Sequence, residues 1–328
     1  MNKRLSRFLQ IAIPLGLGIF LIYYIYGKFS PDQLQQVRHY FSSANYWIVG
    51  LSVLLSLLSH ILRASRWNLM LEPLGYRPKL LNNFMAVSVA YLMNIFIPKS
   101  GEVSRAIILA RYEKVPFDKG FGSIISERVI DLILLLLFTL TALLLQFDIL
   151  YDYLLEVVPI KTLVIAATVL LALGIIGLLF LKMSKSGLAN KINGLVYGLK
   201  EGMLSVIHMK RKGAFIFQSL VIWALYLLSF YTATLALEET SSIGFGTLII
   251  TFVVGSFTFA FTNSGFGTYP AAIMGILLVF GIPESLGFAF GWIVWTSNIV
   301  SLVFFGVLSL IYLPIYNRDH TSAEEKEA

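Results

Sequence analysis

The chain contains no cysteine. Disulfides, thiolate metal sites and cysteine nucleophiles are excluded at once. Histidine is scarce: His39, His60, His208 and His320 are scattered and form no pair at helical spacing, so neither a zinc site nor any other metal or cofactor is expected. Charge is sparse as well. Asp, Glu, Lys and Arg make up 13% of the 328 residues, about half the share of an ordinary soluble domain. No hydrophilic stretch is long enough for a soluble domain of ordinary size, and no attached catalytic module or catalytic residue is expected. What abounds is apolar: 57% of the residues are hydrophobic and mean hydropathy is +0.80. The composition predicts an all-α, polytopic integral membrane protein.

A spanning helix needs roughly 20 apolar residues. That rule predicts six spans, at about 8–26, 46–62, 129–147, 162–181, 214–237 and 286–313. The first follows Lys3, Arg4 and Arg7, lacks a small-residue cleavage site, and is read as an uncleaved span. Two apolar regions do not fit the rule: 84–97 is short and stops at Pro98, and 245–281 is interrupted by Asn263-Ser264-Gly265-Phe266-Gly267.

Loop charge orients the spans. Lys3, Arg4 and Arg7, then Arg63, Arg66, Arg77 and Lys79, then the lysines and arginine of the loop 183–213 are assigned to the cytoplasm. The connection 148–160 has Asp148, Asp152 and Glu156 but only acidic charge, and it is assigned outside with Glu238 and Glu239. These assignments agree if 84–113 and 245–281 do not cross. Each is therefore predicted to be a re-entrant broken hairpin, entering from opposite faces as in an inverted repeat. The result is a single membrane domain over 1–316, a polar tail over 317–328, and both termini in the cytoplasm. Residues 183–213 place Leu188, Ile192, Leu195, Leu199 and Met203 at helical spacing among lysines, the pattern of an amphipathic helix on the inner leaflet. The formal charge of +7 lies in such loops and points to anionic lipid headgroups, not nucleic acid.

Ionisable residues at membrane depth are costly and mark sites. The first break carries Pro98, Lys99, Gly101, Glu102 and Arg105. A helix starting at Gly101 would offer N–H groups to an anion, with Lys99 beside it and Arg105 one turn on. Glu102 and Arg105 also have the i,i+3 spacing of an intrahelical pair. The second cluster is Glu127, Arg128 and Asp131. Its two carboxylates share a helix face and need a cation between them, from Arg128 or from the first hairpin. Either a headgroup site or a buried salt bridge fits these residues. Arg63, Arg66 and Trp67 end the second span and read first as interface anchors. The second break has no charge; Thr262, Asn263 and Ser264 are its polar groups, Gly265 and Gly267 free its backbone, and Asn298 is a candidate to satisfy it.

The run RxxRW at 63–67, PxxGExxR at 98–105 and ERxxD at 127–131 resembles the lysylphosphatidylglycerol synthase transmembrane region, a flippase-like membrane domain family. The resemblance covers nearly the whole chain. It implies a stand-alone member without the soluble aminoacyltransferase domain. Where that family often has Pro-x-Gly-Gly-x-Gly and then a glutamate, this chain has 262–267 followed by Tyr269 and Pro270, which argues against a cationic lipid. The expected function is flippase-like movement of an amphipathic lipid with an anionic, zwitterionic or glycosylated headgroup, in a bacterial-type cytoplasmic membrane. Membrane lipids are the expected partners, with a separate lipid-modifying enzyme as a further one. The alternative is a membrane-embedded lipid-modifying transferase or its scaffold; the chain has no Asp-x-Asp element to support it.

Overall fold

Capping and proline chemistry set the helix ends in the computed structural model of the chain, which describes residues 3–157, 209–262 and 264–318. The expected span at 162–181, residues 183–208 of the basic loop, Asn263 and the tail from 319 lie outside the described residues. Helix α1 is Lys3–Lys28. Helix α2, Pro31–Ser43, opens on a reciprocal capping box: the Gln33 N–H donates to Ser30 Oγ, and the Ser30 N–H to Gln33 Oε1. Helix α3, Tyr46–Leu71, begins where Asn45 Oδ1 accepts from the N–H groups of Trp47 and Ile48.

A pair of shorter helices follows, α4 over Leu80–Phe96 and α5 over Ser100–Glu113. Pro98 disfavours helical backbone at the residue before it, and Ile97 is extended, with φ −130° and ψ 112°. Lys99 then takes a left-handed conformation (φ 59°) and α5 starts. The two helices fold back on each other: Gly101 lies on Ala90, and the Lys79 N–H donates to Glu113 Oε1. A side chain at Gly101 would run into the Ala90 carbonyl. Lys114, at the far end of α5, is also left-handed (φ 55°).

Helix α6 is Phe117–Leu145 and α7 is Phe147–Val157. From residue 209 onward come α8 (Lys212–Thr234), the short α9 (Glu238–Ser241), α10 (Phe245–Phe261), α11 (Thr268–Val279) and α12 (Glu284–Tyr316). Helices α10 and α11 form the second broken pair. Thr262 is extended, and Ser264, Gly265 and Gly267 all have positive φ. Helix α4 and helix α10 have the same length, 17 residues. The order of long helix, broken pair, long helix thus occurs twice, as α3–α6 and as α8–α12.

All described elements are helical. Among the described residues, four helices are long and apolar enough to cross a membrane: α3 with its following turn, α6, α8 and α12. Leu136, Leu137, Leu140 and Leu144 of α6 point outward, as lipid-facing side chains do. The protein is an all-α polytopic membrane protein. Helix α3 runs along α8, where Ser229 Oγ donates to the Ser52 carbonyl at 2.7 Å. Helix α12 seats both broken pairs through glycine: a Cβ at Gly291 would lie 2.8 Å from Pro270 Cα, and one at Gly306 would lie 2.5 Å from Leu92 Cβ. Helices α3 and α6 both exceed the apolar runs that announced them. Counting apolar residues ends the one at 62 and starts the other at 129, but the polar turns that extend them face an ion network and remain helical.

Candidate functional site

Helix α3 presents Arg63 and Arg66 one turn apart, and α6 presents Glu127 and Asp131 one turn apart. The two sets interlock. Arg63 spans both carboxylates, with Nη1 2.9 Å from Glu127 Oε1 and Nη2 2.8 Å from Asp131 Oδ2. Arg66 Nη2 lies 2.9 Å from Asp131 Oδ1 and 3.2 Å from Glu127 Oε1, while its Nη1 donates to Ser219 Oγ on α8 at 2.9 Å. Planar guanidinium forks suit such bidentate contacts. Helix α5 adds Arg105, whose Nη2 sits 2.8 Å from Glu127 Oε2 but is not directed as a hydrogen bond. Its guanidinium lies over the Trp67 ring, 3.6 Å from the centroid. Trp67 is held in turn by a 2.8 Å hydrogen bond from Nε1 to Ser123 Oγ.

Arg63, Arg66, Arg105 and Glu127 are at most 3% exposed. The expected anchor role of Arg63, Arg66 and Trp67 is therefore corrected: all three are buried. The physical reason is that Glu127 and Asp131 satisfy both arginines inside the protein, so they need not reach for the headgroup layer. Arg128, the nearest cation in sequence, is peripheral. Its Nη2 is 3.2 Å from Glu127 Oε1 and 3.7 Å from Asp131 Oδ2.

The expected Glu102–Arg105 pair does not form. Arg105 is drawn to Glu127 and Trp67, and Glu102 Oε2 is buried without a hydrogen-bond partner. The anion-binding role of the helix start is also reduced, because the Gly101 N–H already donates to Asn94 Oδ1 at 2.8 Å. Lys99 is exposed and makes no ion pair among the described residues. Pro98 is half-buried in the turn.

A cavity of about 20 Å³ lies beside the ion network, with Arg63, Tyr91, Asn94, Glu102, Arg105 and Arg128 in its wall. It has room for about one water. The Nε atoms of Arg63, Arg105 and Arg128 are buried and unpartnered, like Glu102 Oε2. Four guanidiniums stand against three carboxylates, Glu102 included, which leaves an excess of one positive charge.

The second break reaches the same place. Ser264 Oγ donates to the Asn94 carbonyl at 3.4 Å, and the Ser264 carbonyl accepts from Trp295 Nε1 at 2.8 Å. Trp295, not Asn298, satisfies this backbone; Asn298 donates to Val294 in its own helix. The Gly265 N–H donates to Thr262 Oγ1, and Gly267 packs against Gly18 of α1. Tyr269 is buried against Phe259 and belongs to the apolar core. Asn94 and Tyr91 were missed from the sequence. An asparagine two residues short of the end of an apolar half-helix was the available signal for the first; a tyrosine among apolar residues gave none.

The family described as Lysylphosphatidylglycerol synthase TM region matches residues 11–306, which include every residue of the cavity and the ion network. A UPF0104 membrane protein of Methanocaldococcus jannaschii is 32% identical over 95 residues, 28% of this chain and 28% of that protein. The match thus spans under a third of that relative's length. No solved structure matches. With 11–306 matched, the chain belongs to the lysylphosphatidylglycerol synthase TM region family.

Proposed function

We propose that this family member moves an amphipathic lipid between leaflets, its headgroup passing through the junction of the two broken helix pairs while its tails stay in the bilayer. The observation that carries the reading is the buried arginine–carboxylate network opening onto a polar cavity where both breaks meet. Ionisable groups at membrane depth mark substrate paths, and broken helices meeting near the midplane are the usual substrate site of secondary transporters. The positive excess favours a headgroup with a phosphate or other anion. The cavity holds only a water-sized guest, so a headgroup enters only if the site widens, by α5 parting from α3 and α6.

The loop charges support a cytoplasmic-membrane protein with both termini in the cytoplasm. On that orientation the two units of long helix, broken pair and long helix have opposite senses, as an inverted repeat requires. A separate lipid-modifying enzyme is the partner such a protein would serve.

The test is leaflet exchange of headgroup-labelled lipids in vesicles containing the purified chain. Exchange above that of empty vesicles is expected. Product formed from an added donor, with no exchange, would replace the flippase reading by a transferase.

A further inference from the structure

Glu102 is the one acidic group of the cavity that the ion network does not use. Its Oε2 is buried and unpartnered, and it makes no ion pair among the described residues. It shares the cavity wall with Arg63 and Arg105, each 3% exposed, and with Arg128, and the Nε atoms of all three also lack partners. Buried polar groups are nearly always satisfied, and an orphaned one calls for an explanation. Here the wall of a single cavity includes residues with orphaned donors, from α3, α5 and α6, and one residue with an orphaned acceptor, on α5. A purely anionic guest would satisfy the arginines and leave Glu102 facing a like charge. A guest with a phosphate ester and an adjacent hydroxyl or amine would satisfy both.

We infer that Glu102 is the specificity-determining residue of the site, accepting a hydrogen bond from a hydroxyl or amine that neighbours the phosphate held by the arginines. The inference rests on the lipid reading above. Sites built to hydrogen-bond a substrate hydroxyl or amine reject analogues that lack it, because the buried partner is then left unpaired. Glu102 takes no part in the Glu127–Asp131 network, so its truncation leaves the fold intact.

The experiment is competitive lipid binding to the full chain in detergent, read by native mass spectrometry. The probes are phosphatidylglycerol, which has hydroxyl donors; phosphatidylethanolamine, which has amine donors; and phosphatidylmethanol, a phosphodiester with neither. The wild type is expected to prefer at least one donor-bearing lipid over phosphatidylmethanol by about tenfold or more. Glu102→Ala is expected to bring that ratio near one by weakening the donor-bearing lipid alone. Glu102→Gln keeps an acceptor but loses the charge; it retains a hydroxyl preference and loses an amine preference, which separates the two sources. Thermal unfolding confirms that both variants are folded. A ratio that Glu102→Ala leaves unchanged, or a wild-type ratio near one, overturns the inference while the lipid reading stands. No binding of any of the three lipids overturns both.

Discussion

If a headgroup enters by parting α5 from α6, a covalent tie between the two helices should block its passage. A Cβ built at Gly120 lies 3.8 Å from Ala106 Cβ, the mean Cβ separation of disulfides. Ala106 follows Arg105, so an Ala106→Cys, Gly120→Cys pair would pin the segment that has to leave Glu127 and Trp67. The chain has no other cysteine to compete. The pair closes a loop of about 15 residues, for which loop-closure entropy predicts about 3 kcal/mol of stabilisation. Admitting a headgroup requires a pocket on the order of 300 Å³, against the cavity's about 20 Å³. A disulfide holds the Cα atoms within about 7 Å, which forbids an opening of that size along this seam. Leaflet exchange should therefore fall at least about tenfold on oxidation and return on reduction, with the oxidised protein the more heat-stable. Unchanged exchange in fully cross-linked protein would refute the opening of α5.

Two further outcomes follow from the network and the first break. Asp131→Asn removes a carboxylate that contacts Arg63 at 2.8 Å and Arg66 at 2.9 Å; it should destabilise the folded protein by about 3–5 kcal/mol, read as a lowered thermal midpoint in detergent, and a shift worth less than about 1 kcal/mol would argue against a buried network. Gly101→Ala sets a methyl group against the Ala90 carbonyl and Asn94, forcing α4 and α5 apart at a cost of about 1–3 kcal/mol; an unchanged midpoint would show that the two helices are not in close contact.

The helix breaks were legible because their causes are local: a proline at 98 and glycines at 265 and 267 act on their own backbone. The acidic pair at 127 and 131 was legible because its demand for a cation is set by helical spacing. The cation that answers it was not. An arginine near the end of an apolar helix can extend to the headgroups or turn inward to an acid, and the local sequence is the same in both cases. For Arg63 and Arg66 the choice depends on carboxylates more than sixty positions away, brought close when α3 packs on α6. The failure of the Glu102–Arg105 pair has the same origin. Exposed i,i+3 pairs are weak, and a fully buried glutamate and an indole face outcompete one. The start of α6 was misjudged because hydropathy scores its first twelve residues as polar surface, although Ser123 and Glu127 point into the protein.

The two glycine seats on α12 have a mechanical consequence. Gly306 receives Leu92 of the first broken pair and Gly291 receives Pro270 of the second, some 22 Å apart along one continuous helix at 1.5 Å per residue. Neither seat has a side chain that could rotate to absorb a displacement. Helix α12 therefore acts as a rigid beam resting on two bearings: a tilt that lifts it from one bearing presses it onto the other, so the two broken pairs are coupled through it without touching each other there.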